Sequence, residues 1–210
     1  MPADWKPSAN IRALIFDCDG TLADTMPIHY RAWTQILHPR GIPFDERRFY
    51  QLGGMPTAKI IRILSEETGV PVTDTDIEQL VQVKESIFLT LLHEVTALDS
   101  VVNIAKRYRG LLPMAVASGG YRAIVQQTLQ AIGIHDWFDA LVCAEDTAHH
   151  KPEPDVFLEA AARLGNVPAR ACVVFEDTDI GLEAARRAGM QGIDVRGWVP
   201  PRAGEITPDY

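Results

Sequence analysis

Five short runs of apolar residues constrain the fold of this chain more than any other feature. Apart from Asp194 in the last run, each run is apolar on both faces, whereas a strand with one face in water alternates apolar and polar residues. Helical patterns follow most of the runs, at 124–131, 154–164 and 181–188. This alternation predicts an α/β fold with a doubly wound parallel sheet. The predicted strands are 13–16, 114–117, 140–143, 172–175 and 192–195.

The connection between the first two predicted strands is much longer than a crossover requires. It contains several helical patterns, which glycine and proline turn signals separate from one another. We therefore predict a small helical cap domain at 25–96, inserted into a core domain formed by 1–24 and 97–210. The helical patterns within the insertion are 28–37, 57–67 and 76–92.

Polar residues follow three of the predicted strands at the point where each strand ends. The first strand is followed by DCDGT at 17–21, the second by SGG at 118–120, and the fourth by ED at 176–177. Lys151 comes shortly after the third strand and can reach the same edge. Because an open parallel sheet binds ligands at the carboxyl ends of its strands, we expect these motifs to converge on one site.

The predicted site would bring four carboxylates close together. Like charges at short range raise one another's pKa and destabilise the fold, so such a cluster needs a cation. The candidate ligands are all oxygens, which favours Mg²⁺ over Zn²⁺. Lys151 adds a positive charge that suits phosphate or carboxylate oxygens. The four carboxylates belong to Asp17, Asp19, Glu176 and Asp177.

Asp17 and Asp19 are two residues apart on a segment that leaves a strand, so their side chains should point to opposite sides. One can face the metal while the other faces the leaving oxygen of a substrate. This separation suits Asp17 as a metal-bound nucleophile and Asp19 as a general acid and base. Gly20 permits a tight turn or a close backbone approach. Thr21 and Ser118 offer hydroxyl donors to phosphoryl oxygens.

Each motif alone also has an ordinary structural explanation. DCDGT can be a turn after a strand, SGG is usually a loop, and ED before a helix is often an N-cap. The joint order, in which each motif follows its own apolar strand, favours the catalytic interpretation.

The same motifs resemble those of a known family. DCDGT, Ser118, Lys151 within HKPEPD, and FED at 175–177 resemble the four motifs of the haloacid dehalogenase superfamily, over essentially the whole chain. The helical insertion resembles the small α-helical cap of that superfamily. Within it, the chain is most similar to the β-phosphoglucomutase-like subgroup, and there to bacterial fructose-1-phosphatases. The closer likeness is carried by IFDCDGTLADTMPIHYRAW, GMPT at 54–57, PMAV, HHKPEPD and CVVFEDTDIG.

The resemblance implies a role for each core residue. Asp17 would attack phosphorus and form an aspartyl-phosphate, while Asp19 would protonate the leaving alkoxide and then activate water. Ser118 and Lys151 would hold the phosphoryl oxygens. The resemblance thus implies a Mg²⁺-dependent phosphatase acting on a small sugar phosphate such as fructose 1-phosphate. The implied Mg²⁺ ligands are Asp17, the backbone carbonyl of Asp19, Asp177 and, directly or through water, Glu176.

Residues of the insertion are expected to contact the substrate. His29 and Trp33 are four apart on a predicted helix and so share a face; the resemblance favours contact with the sugar, and a packed aromatic face is the alternative. Arg122 follows the Ser118 loop and either meets the substrate or lies on the surface. The predicted phosphate and substrate contacts are Gly20, Thr21, Ser118, Gly119, Lys151, His29, Trp33, Gly54, Thr57 and Arg122.

Three other functions are considered beside the phosphatase. A β-phosphoglucomutase-type phosphomutase is the alternative. Such enzymes carry an arginine where Thr57 stands, which weakens this interpretation, but Arg122 or Lys59 could substitute for that arginine. A dehalogenase is disfavoured because its family lacks the second acid, here Asp19. A phospho-aspartate signalling receiver has no cap and no use for Asp19.

Composition excludes several other classes. The formal net charge is −8 at pH 7, so nucleic acid is not an expected partner. No apolar stretch approaches the ~20 residues of a membrane span. The three cysteines form no CxxC pair and lie in or beside apolar runs, which predicts buried thiols in a reducing cytoplasm. The N-terminal segment has no apolar stretch of the signal-peptide type. The sequence leaves the oligomeric state open, with a monomer among the possibilities.

Overall fold

A computed structural model describes residues 4–198 of the chain. Within this range, five parallel strands form one sheet in the order β3-β2-β1-β4-β5. The order grows outward in both directions from β1, so the predicted doubly wound parallel sheet is confirmed. The strands are β1 (Ala13–Phe16), β2 (Met114–Ala117), β3 (Ala140–Val142), β4 (Cys172–Glu176) and β5 (Gln191–Asp194).

The two faces of the sheet are covered by separate hydrophobic clusters, which explains why the central strand β1 is apolar at every position. Leu14 and Phe16 of β1 belong to one cluster, and Ala13 and Ile15 belong to the other. All four side chains are fully buried. Because successive strand residues point to opposite faces, a strand that is covered twice cannot place a polar residue on either face without burying it.

The register of the sheet aligns the ends of the three central strands. Phe16 pairs with Val116 on one side and with Phe175 on the other. The next residue along β1 is Asp17, whose backbone N–H donates to the carbonyl of Phe175 at 3.0 Å. The backbone N–H of Ser118 likewise donates to the carbonyl of Val142 at 3.0 Å. The register therefore carries the polar motifs to one edge of the sheet.

The described helices lie close to the predicted ones. Helices α1 and α4 each begin two residues earlier than predicted, and Thr73 explains the second case because it forms a capping box with Asp76. The short α2 was not predicted; Asp45 caps it by accepting from the N–H of Arg48 at 2.7 Å. The helices are α1 (Met26–Leu37), α2 (Glu46–Gln51), α3 (Thr57–Thr68), α4 (Asp74–Leu91), α5 (Asp99–Tyr108), α6 (Arg122–Ala131), α7 (Asp155–Arg163) and α8 (Asp179–Arg187).

Helices α1 to α4 form the cap, which is inserted between β1 and β2 and has a hydrophobic core of its own. The two connections to the core domain run side by side, because Ala23 and Ala97 form an antiparallel bridge. The boundaries 25–96 for the cap stay a prediction, and the predicted core segment 97–210 extends past the described residues. No helix between residues 4 and 198 combines the length and the apolar character of a membrane span.

The three cysteines are free and buried, as the sequence predicted. Burial raises the pKa of Cys143 to about 12 and that of Cys172 to about 11. A thiol is a good nucleophile only as the thiolate, so these cysteines act as small apolar side chains in the core.

Candidate active site

Lys151 holds two carboxylates together at the carboxyl edge of the sheet. Its Nζ donates to Asp17 Oδ1 at 2.6 Å and to Glu176 Oε2 at 2.7 Å. The lysine side chain is 1% exposed. Burial disfavours its charge, but Asp17 and Glu176 raise the pKa of Lys151 above its usual value, so it stays an ammonium. The second oxygen of Glu176 accepts from the N–H and the hydroxyl of Thr178, at 3.0 and 2.7 Å.

Three buried carboxylates form a cluster that fits a hard divalent cation. One oxygen from each of Asp17, Glu176 and Asp177 lies within 4.8 Å of the others. An all-oxygen donor set of this kind suits Mg²⁺, Mn²⁺ or Ca²⁺ better than Zn²⁺. The side chain of Asp19 is not part of the cluster. Its predicted metal contact, through the backbone carbonyl, stays a prediction.

Two glycines are needed because carboxylates of the cluster pass directly over them. A Cβ atom at Gly20 would lie 2.0 Å from Asp177 Oδ2, and one at Gly181 would lie 2.0 Å from Glu176 Cδ. The backbone of Gly20 also has a φ of +85°, which favours glycine. The close approach expected at Gly20 is therefore to Asp177.

Thr21 supports the same carboxylate. Its hydroxyl donates to Asp177 Oδ1 at 3.0 Å, and the residue is fully buried. It does not line the cleft described below. Lys151 does not line that cleft either, and the phosphate contacts predicted for Gly20, Thr21 and Lys151 stay predictions.

Burial raises the pKa of Asp17 well above its usual value. The Lys151 ammonium opposes this shift, while Glu176 and Asp177 add to it. A cation bound at the cluster would oppose this shift and favour the ionised carboxylate.

Asp19 is held by residues of the cap. Its Oδ1 accepts from the hydroxyl of Thr25 at 2.7 Å and lies 3.3 Å from His29 Nε2. Burial acts to raise the pKa of Asp19, but the hydrogen bonds from His29 and Thr25 and the charge of Lys84 hold it below its usual value. Asp19 is thus a carboxylate whose orientation depends on the cap.

Lys84 fixes the tautomer of His29. Lys84 Nζ lies 2.9 Å from His29 Nδ1, and an ammonium can only donate, so Nδ1 accepts and the ring proton sits on Nε2. That proton points at Asp19. Burial and the charge of Lys84 lower the pKa of His29, which keeps the ring neutral. The ring also stacks on Phe88, with centroids 4.1 Å apart.

Lys84 and its neighbour Glu85 also belong to this part of the cap, although neither was predicted from the sequence. Lys84 is 3% exposed and donates to Glu85 Oε1 at 3.1 Å, and the hydroxyl of Thr57 donates to the same oxygen at 2.9 Å. A signal was present in α4, where the buried positions are Ile77, Leu80, Lys84 and Phe88. A lysine at helical spacing within an apolar stripe is a buried charge in need of a partner.

A cleft between the core and the cap brings most of the predicted residues together. It opens to solvent. Ser118 is buried at its base, with Oγ accepting from the N–H of Gly120 at 3.0 Å. The cap touches the core beside it, since a Cβ at Gly119 would lie 2.5 Å from the carbonyl oxygen of Gly54. The predicted residues that line the cleft are Asp17, Asp19, His29, Trp33, Gly54, Thr57, Ser118 and Gly119.

Arg122 is not among the residues that line the cleft, and its predicted substrate contact stays a prediction. Its guanidinium pairs with Asp146 and donates to the carbonyl of Leu141 at 3.3 Å. Arg122 opens α6, and its guanidinium reaches β3. Lys59, the other residue considered as a substitute cation, is also absent from the cleft lining and lies near His150.

Comparisons with known proteins agree with this arrangement. A model of haloacid dehalogenase-like hydrolases matches residues 11–189. Fructose-1-phosphate phosphatase YqaB of Escherichia coli (strain K12) is 42% identical over 184 residues, which are 87% of this chain and 95% of the relative. Beta-phosphoglucomutase of Bacillus subtilis (strain 168) is 30% identical over 191 residues, 88% of this chain and 83% of the relative.

Solved structures show the same fold. The crystal structure of beta-phosphoglucomutase from Clostridium difficile matches with a TM-score of 0.80 at 25% identity, and covers 88% of this chain and 84% of that chain. These matches confirm the resemblance inferred from the motifs.

We predict that Lys84→Met raises the pKa of His29. The substitution removes both the charge that disfavours imidazolium and the donor that occupies Nδ1. The measurement is a pH titration of the histidine ring protons by NMR.

Lys59→Met is the matched control for this titration. Burial and Lys59 lower the pKa of His150, so Lys59→Met should raise the pKa of His150 and leave His29 unchanged. A His29 pKa that does not move in Lys84→Met would contradict the assigned tautomer.

Proposed function

Because the chain belongs to the haloacid dehalogenase-like hydrolases, we propose that it is a Mg²⁺-dependent phosphatase of small sugar phosphates, with fructose 1-phosphate as the first candidate. The proposal rests above all on the division between Asp17 and Asp19. Asp17 belongs to the carboxylate cluster and borders the cleft, whereas Asp19 borders the cleft from outside the cluster. One acid is thus set apart for a cation and phosphorus, and the other for proton transfer.

The proposed reaction has two steps. First, a carboxylate oxygen of Asp17 attacks phosphorus, the bond between phosphorus and the sugar oxygen breaks, and Asp19 gives its proton to the leaving alkoxide. Second, a water attacks the aspartyl-phosphate as Asp19 takes its proton, which releases inorganic phosphate and restores Asp17. The hydroxyl of Ser118 and the ammonium of Lys151 would bind the non-bridging oxygens. A divalent cation at Asp17, Glu176 and Asp177 would neutralise phosphoryl charge.

The contacts of Asp19 favour its role as a base. Its low pKa leaves it as a carboxylate, the form that accepts a proton from water. For the first step Asp19 has to carry a proton. We expect Asp19 to bind that proton when the substrate enters, because a phosphate dianion beside a carboxyl group raises its pKa. The cap residues Thr25 and His29 would hold the carboxylate in place during both steps.

A phosphomutase is the second candidate, because beta-phosphoglucomutases are among the relatives. A mutase must hold a second phosphate while the sugar reverses in the cleft, and a bidentate arginine is best shaped for this task. No arginine lines the cleft in the described part of the chain. The hydroxyl of Thr57 is bonded to Glu85, so the cap offers no evident second phosphate clamp.

Asp17→Asn tests the nucleophile. We expect kcat to fall by roughly a thousandfold or more, because an amide does not attack phosphorus. Circular dichroism should show an unchanged fold. Activity within about tenfold of the wild type, equal to ~1.4 kcal/mol of barrier, would refute the assignment.

Metal removal tests the cation. EDTA should abolish phosphate release and excess Mg²⁺ should restore it, whereas Zn²⁺ should not be the best activator. Asp177→Asn should weaken Mg²⁺ binding measured by calorimetry. Asp179→Asn is the matched control, since the Asp179 side chain is 86% exposed and the same charge is removed outside the cluster. Full activity in the chelated enzyme would contradict the proposal.

Product analysis separates the two candidates. Fructose 1-phosphate should yield inorganic phosphate, and β-glucose 1-phosphate should yield little glucose 6-phosphate with or without a bisphosphate primer. Glucose 6-phosphate forming faster than inorganic phosphate would establish the mutase instead.

Adding an arginine to the cap makes the comparison sharper. In Thr57→Arg the new guanidinium would meet the carboxylate of Glu85, so the substitution has to be combined with Glu85→Gln. The double variant should gain glucose 6-phosphate relative to either single variant. An unchanged product ratio would show that position 57 does not contact the second phosphate.

A further inference from the structure

Glu85 lies on the cap wall of the cleft and has no part in the proposed chemistry. Its side chain is 14% exposed. Its Oε1 accepts from Thr57 Oγ1 at 2.9 Å and from Lys84 Nζ at 3.1 Å. Within residues 4–198, Oε2 makes no hydrogen bond to the protein. A carboxylate oxygen that borders a cleft in this way can accept hydrogen bonds from a bound molecule.

The lysine of the cleft wall is already engaged by the protein. Lys84 Nζ donates to His29 and to Glu85. It also lies 5.6 Å from the ring centroids of Trp33 and Phe88. No other lysine and no arginine lines the cleft among the residues that the structure describes. Glu85 and Lys84 form an ion pair on the cap wall, and Glu85 Oε2 is the acceptor that the cap presents to the cleft.

We propose that Glu85 selects phosphate monoesters whose far end is a neutral polyol and rejects those that carry a second phosphate or a carboxylate. This inference rests on the proposed function and defines its substrate class. A sugar hydroxyl donates a hydrogen bond to the carboxylate. A second phosphate or a carboxylate is repelled by Glu85 and offers it no hydrogen-bond donor. Glu85 therefore favours polyol monophosphates and disfavours esters with a second anionic group.

Glu85→Gln tests the proposal, because it keeps the shape and an oxygen acceptor for Thr57 but removes the charge. The assay is phosphate release from fructose 1-phosphate and from fructose 1,6-bisphosphate. Wild type should favour the monophosphate in kcat/KM. Glu85→Gln should reduce that preference about tenfold or more, as the monophosphate loses a charged hydrogen bond and the bisphosphate loses a repulsion.

Two variants serve as controls. Glu85→Asp keeps the charge and should keep the preference for the monophosphate. Glu78→Gln removes the same charge from an exposed position of the same helix and should behave as wild type. If Glu85→Gln does not fold by circular dichroism, Glu85→Ala carries the same comparison.

Each result decides between separate explanations. An unchanged ratio in Glu85→Gln, even with both rates reduced, would make Glu85 a support for Lys84 and would refute the inference. An equal change in Glu78→Gln would assign the effect to total charge and would also refute it. A wild type that hydrolyses both compounds equally well refutes this inference alone. A wild type that releases phosphate from no sugar phosphate refutes the proposed function as well.

Discussion

The arrangement of the site depends on the burial of three carboxylates against a single lysine. Asp17, Glu176 and Asp177 share one edge of the sheet with Lys151, which leaves an excess of negative charge away from water. Such a group is tolerable only if every oxygen has a partner. The hydroxyl of Thr21 and the donors of Thr178 supply such partners. The two glycines leave the space that the carboxylates occupy.

The fold and the core half of the site could be predicted from the sequence because both follow from local patterns. Strands covered on both faces have to be apolar throughout, so the runs that contain Leu14 and Val116 mark themselves as strands. Once the strands are parallel and in register, the residues that follow them meet at one edge. The positions of Asp17, Ser118 and Glu176 are consequences of topology, and side-chain detail was not needed to expect them together.

The cap half could not be predicted to the same depth, because its contacts depend on which helices pack together. Nothing local to Lys84 indicates that its ammonium meets His29, which lies 55 positions away in sequence. Arg122 illustrates the same dependence on distant partners. It follows a loop of the site, but the partner that decides its direction is Asp146, beside β3. Long cationic side chains reach several neighbours, so sequence proximity to a motif is a poor guide to where their charge lies.

The contact between Gly119 and Gly54 has a consequence for how the cleft can evolve. The core and the cap meet there through main-chain atoms, with no room for a methyl group between them. Because this contact is made by main-chain atoms, substitutions of other cap side chains leave it in place. Substrate preference can then change through substitutions on the cap wall that do not disturb this main-chain contact.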